Sequence, residues 1–64
     1  MIKEGQVVEC RTYGKLERFK VTKVGRKYVY LDSFHYGSNG QWRVEKVVLE
    51  NPHLFGPPDV IRCN

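Results

Sequence analysis

Two apolar runs joined by a short glycine-containing turn decide the fold of this chain: Val21-Thr22-Lys23-Val24-Gly25-Arg26-Lys27-Tyr28-Val29-Tyr30-Leu31. Valine, threonine and tyrosine favour strands, and a glycine followed by two basic residues interrupts them, so the stretch predicts a β-hairpin. Because side chains alternate along a strand, Val29 and Leu31 share one face and Tyr28 and Tyr30 share the other. We expect the first pair in the core, the two tyrosines partly exposed, and a positive φ at Gly25.

Working outward from the hairpin, the pattern predicts five strands in all, at Gln6–Cys10, Leu16–Val24, Tyr28–Leu31, Trp42–Leu49 and Asp59–Cys63. Polar or glycine- and proline-containing stretches separate them and predict loops. The fourth stretch also fits a helix, because its valines recur at spacings of three and four residues. Its short length and valine content favour a strand. We expect Trp42 in the core, with Leu54 and Phe55 closing the bottom of the core.

With only 64 residues, the chain has room for a single small domain, residues 1–64. An open sheet of five short strands would leave one apolar face in water and two edges unpaired. Curling the sheet into a barrel removes most of both problems. The predicted fold is therefore all-β, a small five-stranded antiparallel partly open barrel with an irregular segment before the last strand.

Positive charge is concentrated in one part of the chain. There are 11 lysines and arginines against 7 acidic residues, a net charge of +4. The whole excess lies within residues 11–30, which carry seven basic residues and only Glu17 as an acid. Such a region attracts polyanions or an acidic protein surface, although it also fits a solvated strand edge that lysines protect from aggregation.

Aromatic residues are interleaved with this basic region. Lysine and arginine neutralise phosphates with little sequence preference, and aromatic rings accept unpaired bases. We therefore predict a non-catalytic module that binds nucleic acid or a nucleoprotein. Its candidate binding residues are Arg11, Tyr13, Lys15, Arg18, Lys20, Lys23, Arg26, Lys27, Tyr28, Tyr30, His35 and Tyr36.

The sequence offers little for catalysis or metal binding. Asp32 and His35 lie close together, but such a pair in a loop is more often a turn than a general base. Cys10 and Cys63 could complete a zinc set with two histidines, yet no two ligands have the close spacing that seeds such a site. We expect no enzyme activity, no cofactor and no metal, with both cysteines reduced strand residues that are neighbours if the first and last strands meet.

No stretch approaches the length of a membrane-spanning helix, and the polar start of the sequence does not resemble a secretory signal. We therefore expect a cytoplasmic protein with no membrane partner. A homodimer is a further expectation, since a small core gains stability from a second copy.

The pattern of glycines and short apolar strands resembles a known family. Lys3-x-Gly5-x-Val7-Val8, a polar loop with Gly14, and the run from Val21 to Leu31 are similar to the first half of the Src-homology-3-like small barrels of KOW and Tudor type. This resemblance implies a barrel that binds RNA or the transcription and translation machinery, and it implies no catalytic residue.

The stretch from Val21 to Tyr28 also resembles short proteins encoded by bacteriophages. That resemblance implies an alternative function, a phage accessory protein in the host cytoplasm. Such a protein would bind an acidic surface of a host protein and inhibit or modify it.

Overall fold

The computed structural model describes residues 2–34 and 41–63, except for the side chain of Cys63. These residues form one antiparallel sheet, with the strands in chain order, and two short helices. The elements are β1 Val7–Thr12, β2 Lys15–Val24, β3 Tyr28–Ser33, β4 Gln41–Glu45, α1 Lys46–Glu50, α2 Pro52–Phe55 and β5 Ile61–Cys63. The sheet curls into a half-barrel, so the prediction of a small all-β, partly open barrel is confirmed.

The segment that precedes β5 lies beside β1. The amide of Arg11 donates to the carbonyl of Pro58 at 2.7 Å, and the amide of Val60 donates to the carbonyl of Arg11 at 3.0 Å. The residue between these partners, Asp59, forms a parallel bridge to Arg11. The segment before β5 therefore closes the sheet onto part of β1, while β5 itself pairs with β4.

The core fills the concave side of the sheet. Its buried apolar side chains are Cys10, Phe19, Val21, Val29, Leu31, Trp42, Val44 and Leu49. Phe19 and Trp42 meet edge to face, with their ring centres 6.1 Å apart. The predictions that Val29 and Leu31 face the core, that Trp42 is buried and that the two hairpin tyrosines lie partly outside are confirmed.

A β-bulge in β2 changes which side chains face outward. Val21 pairs with Leu31, but the next pair is Lys23 with Tyr30, so Thr22 is the extra residue. Strict alternation would place Lys23 on the same side as Val21, but the bulge reverses the alternation. Lys23 therefore shares the convex side of the sheet with Tyr30.

Two turns differ from the sequence prediction. The first loop is shorter than expected, because β1 and β2 leave only Tyr13 and Gly14 between them, with φ of 51° and 80°. Two positive φ values match the type I′ turn of tight hairpins. At Gly25 the expected positive φ is wrong. There a Cβ would lie 2.9 Å from the carbonyl oxygen of Tyr28, so close approach of the backbone favours glycine.

The predicted strand Trp42–Leu49 is half wrong, because β4 ends at Glu45 and α1 follows. As a strand, the chain would have carried Leu49 to the side of Arg43. The helical turn carries it to the core, where it is 8% exposed. Leu54 and Phe55 do not close the core as predicted, since they are 69% and 54% exposed. Of these three residues, only Leu49 belongs to the core.

Candidate functional site

The convex side of strands β2 to β4 carries a set of basic and aromatic side chains that we call the basic face. Lys23 pairs with Tyr30, and Tyr30 pairs with Arg43, which places these three side chains in one row across three strands. Side chains that are directly opposite in such pairs lie close together on one face. The remaining strand members are Arg18, Lys20 and Tyr28. We add Lys27, which contacts the Tyr28 ring, and its neighbour Arg26 from the turn between β2 and β3.

Two cations lie over the aromatic ring of Tyr28. The guanidinium carbon of Arg43 lies 4.8 Å from the centre of the Tyr28 ring, and the Nζ of Lys27 lies 5.5 Å from it. Arg43 and Tyr28 are both half-buried. The arginine therefore presents a planar, charged group beside an aromatic ring, an arrangement that also suits a nucleobase.

Local hydrogen bonds hold this part of the sheet. The hydroxyl of Thr22 donates to the carbonyl of Tyr30 at 3.2 Å, which ties the bulge to β3. In the turn, the amide of Gly25 donates to the carbonyl of Tyr28 at 2.9 Å. The amide of Lys46 donates to the carbonyl of Lys27 at 2.8 Å, which joins the turn to the start of α1. The backbone at Lys27 and Tyr28 is thus held both by the turn and by the start of α1.

Charge on the basic face is unbalanced. Four of its cations, Arg18, Lys20, Lys23 and Arg43, share the convex side of β2 to β4 with two acids, Asp32 opposite Lys20 and Glu45 opposite Tyr28. Glu9 lies opposite Arg18 on the neighbouring strand β1. The face is therefore positive overall, with its acids on the margins of the central row, and such a surface attracts anions.

Not all of the predicted binding residues belong to this face. Arg11 lies on β1, and its Nε donates to the carbonyl of Pro57 at 3.1 Å, so its guanidinium lies against the closing segment. Tyr13 lies in the β1–β2 turn and is 86% exposed. Lys15 pairs with the buried Thr12, so it lies at the end of the concave side and not on the basic face. His35 and Tyr36 lie outside the described residues.

Sequence reasoning missed Arg43, which completes the central row. Its signal was present, because it alternates with Trp42 and Val44, the two buried residues of β4. What the sequence did not show is which strand pairs with β3. Arg62 was also missed, and its guanidinium carbon lies 5.9 Å from the centre of the Trp42 ring.

Within residues 2–34 and 41–63, no group of three metal-ligating side chains is brought together. Cys10 is a free thiol with no exposed surface, and burial raises its pKa to about 12. A thiol with such a pKa is a poor nucleophile, because the thiolate is the reactive form. The backbone of Cys63 pairs with Gln41 on β4. No helix in the described part of the chain is long and apolar enough to cross a membrane.

Comparisons of this chain with protein-family models, curated proteins and solved structures found no match.

Proposed function

We propose that this protein is a non-catalytic binding module that binds nucleic acid through the basic face. The observation that carries the proposal is the row Lys23, Tyr30 and Arg43, with Tyr28 stacked beside Arg43 at 4.8 Å. Phosphates are neutralised by lysine and arginine, and bases stack on tyrosine rings and on guanidinium planes. The row offers both kinds of group within the width of three strands.

The half-buried position of the tyrosines supports this proposal. A ring held against a sheet loses little further conformational freedom when a base stacks on it. Unpaired bases gain about 1–3 kcal/mol each from such stacking. We therefore favour a single-stranded nucleic acid over a duplex, whose bases are already stacked on one another. The resemblance to KOW-type barrels points in the same direction.

The test is fluorescence anisotropy with a labelled oligouridine of about 20 nucleotides and a duplex DNA of similar length. If Arg18, Lys20, Lys23 and Arg43 each neutralise one phosphate, the single-strand salt slope is about −2.8. Affinity should then fall about 50-fold between about 50 mM and 200 mM salt. No measurable binding at about 50 mM salt would contradict the proposal.

A matched pair of variants separates the face from the net charge. Lys20→Glu with Lys23→Glu reverses two charges on the basic face. Lys3→Glu with Lys15→Glu makes the same change in net charge elsewhere, at two exposed lysines. We expect the first pair to weaken oligouridine binding at least about tenfold more than the second, because short-range phosphate contacts are lost. Equal losses would show that binding follows only the total charge.

An acidic protein surface of a host could use the same cations. In that case the variants would weaken capture of the protein partner, and oligouridine would not bind. The nuclease sensitivity of partners purified from a lysate distinguishes the two, since partners bridged by nucleic acid are lost after digestion.

A further inference from the structure

Part of β1 forms an open edge of the sheet. In an antiparallel ladder, alternate residues direct both main-chain groups toward the same neighbour. The carbonyl of Gln6 accepts from the amide of Val21 in β2 at 2.8 Å, whereas both main-chain groups of Arg11 bind the closing segment on the other side. The register between β1 and β2 is continuous from Val7 to Thr12. Val7 and Glu9 therefore point their amides and carbonyls away from β2, as Arg11 does.

These groups of Val7 and Glu9 have no main-chain partner among residues 2–34 and 41–63. The closing segment reaches only as far as Arg11. Both residues are exposed, and the Val7 side chain is 50% exposed. Unpaired edge groups of this kind are a template for another strand.

An open groove of about 610 Å³ adjoins this edge. Ile2, Val8 and Leu49 supply apolar side chains to it, and Val8 and Leu49 also belong to or pack against the core. Three prolines line it as well, namely Pro52, Pro57 and Pro58. Proline has no amide hydrogen, so these three residues offer no main-chain donor that would compete with the edge amides for an acceptor.

The groove is acidic, in contrast to the protein as a whole. Glu9 and Glu50 line it, and both are exposed. No lysine or arginine is among its lining residues in the described part of the chain. An occupant that carries positive charge is therefore favoured, and a nucleic acid is not.

We propose that the β1 edge at Val7–Glu9 binds an extended, cationic peptide segment of another protein, which adds a strand to the sheet. The edge supplies main-chain hydrogen bonds, and the groove supplies side-chain contacts. A second copy of this chain paired through the same edge would bring a second Glu9 close to the first. Like charges oppose that pairing.

The alternation of the strand defines the peptide. Peptide side chains on the concave side meet Val8 and the groove, and those on the convex side meet Glu9. The matching sequence alternates apolar residues with lysine or arginine. The site uses none of the basic-face residues, although Val7 and Glu9 pair with Lys20 and Arg18 of that face. The inference therefore does not depend on the proposed function.

The probe is a labelled peptide of about eight residues that alternates valine and lysine. Two isomers of it, N-methylated at every valine or at every lysine, have the same charge but block opposite edges of the peptide. We expect the unmethylated peptide to bind and one isomer to lose at least about tenfold in affinity, because only one edge can pair with β1. Equal binding by both isomers would overturn strand addition, as would no binding by the unmethylated peptide.

Amide hydrogen exchange of the wild-type protein gives a second readout. In the free protein the amides of Val7 and Glu9 should exchange much faster than those of Val8 and Cys10, which face β2. Saturating peptide should slow the first two at least about tenfold. Unchanged exchange at Val7 and Glu9 would refute the proposal. Slow exchange that depends on protein concentration, without peptide, would identify a second copy as the occupant and refute it as well.

Charge is tested with Glu9→Gln and Glu50→Gln together, against Asp32→Asn and Glu45→Gln together. Each pair removes two negative charges, but the second pair lies on the convex side of β3 and β4. We expect only the first to weaken peptide binding, by about threefold or more at low salt. If a Val–Glu peptide bound as well as the Val–Lys peptide, the predicted preference for a cationic peptide would be wrong. Oligouridine binding should not fall in the Glu9/Glu50 variant, so failure of this site and failure of the basic face are distinguishable.

Discussion

The stack between Arg43 and Tyr28 makes a quantitative prediction about stability. The guanidinium carbon lies 4.8 Å from the ring centre, and both side chains are half-buried. Cation–π pairs contribute about 0.5–1 kcal/mol at exposed sites and about 2 kcal/mol when fully desolvated. We expect a coupling of about 1 kcal/mol for this partly desolvated pair.

The perturbation is a double-mutant cycle with Arg43→Met, which keeps an unbranched stem, and Tyr28→Leu, which removes the ring. Urea unfolding followed by circular dichroism gives the four free energies. The free energy of unfolding of a small domain typically falls by about 1 kcal/mol per M urea. The coupling then appears as a difference of about 1 M between the midpoint shift caused by Arg43→Met with the Tyr28 ring and the shift without it. The cycle is needed because the Nε of Arg43 is buried without a hydrogen-bond partner among the described residues. Its removal relieves a desolvation cost and offsets part of the single-variant loss.

Tyr30 provides the matched control. It is the residue directly opposite Arg43 in the register, yet the guanidinium stacks on Tyr28. A cycle between Arg43→Met and Tyr30→Leu should give a clearly smaller coupling. Equal couplings, or no coupling with Tyr28, would refute the geometry on which the basic face depends.

Two further predictions concern the turn and the buried thiol. Gly25→Ala should destabilise the protein by about 1–2 kcal/mol in urea unfolding, because its Cβ would meet the carbonyl of Tyr28 at 2.9 Å; an unchanged midpoint would contradict this account of the turn. The folded-state pKa of Cys10, about 12, lies above its unfolded value. The contribution of Cys10 to the free energy of unfolding is therefore fully present below about pH 8.5 and is lost as the pH rises toward 12. In a background without the other cysteine, the Cys10→Ala variant should show a shallower loss of stability above about pH 9 than the parent; parallel pH profiles would contradict it.

The hairpin was predictable because its information is local. Strand formers, a glycine turn and alternation all lie within residues 21–31, and the structure confirms the core face formed by Val29 and Leu31. The bulge at Thr22 was not predictable from alternation, since one extra residue changes no composition but reverses the side on which Lys23 lies. Strict alternation alone would therefore place one member of the central row on the wrong side.

The end of the core was mispredicted for a different reason. Leu49 and the pair Leu54 and Phe55 are equally apolar, so composition cannot say which of them is buried. The choice depends on whether the chain turns after Glu45, and the valines of that stretch fit either a strand or a helix. Once α1 forms, Leu49 reaches the core, and α2 leaves its two large side chains exposed.

The placement of Arg43 shows a limit of a different kind. Its exposure follows from alternation with Trp42 and Val44, but its partners follow from pairing between strands that are distant in sequence. A count of charge along the chain located the basic segment at residues 11–30. It could not show that Arg43 joins the cluster, or that Arg11 turns away from it toward Pro57.

The net charge of +4 describes neither of the two proposed surfaces. The convex side of β2 to β4 is basic, the groove beside β1 is acidic, and the two meet where Glu9 pairs with Arg18. At this boundary Glu9 and Arg18 are register partners on adjacent strands, which is well within a Debye length of about 8 Å at physiological salt. Charges on the two surfaces therefore interact most strongly where the surfaces meet. At low salt the screening weakens, and a polyanion on the basic face would favour a cationic peptide in the groove. Since linkage is reciprocal, the peptide would favour the polyanion by the same factor. On the two proposals together, one small sheet would bind two ligands of opposite sign, each at its own surface.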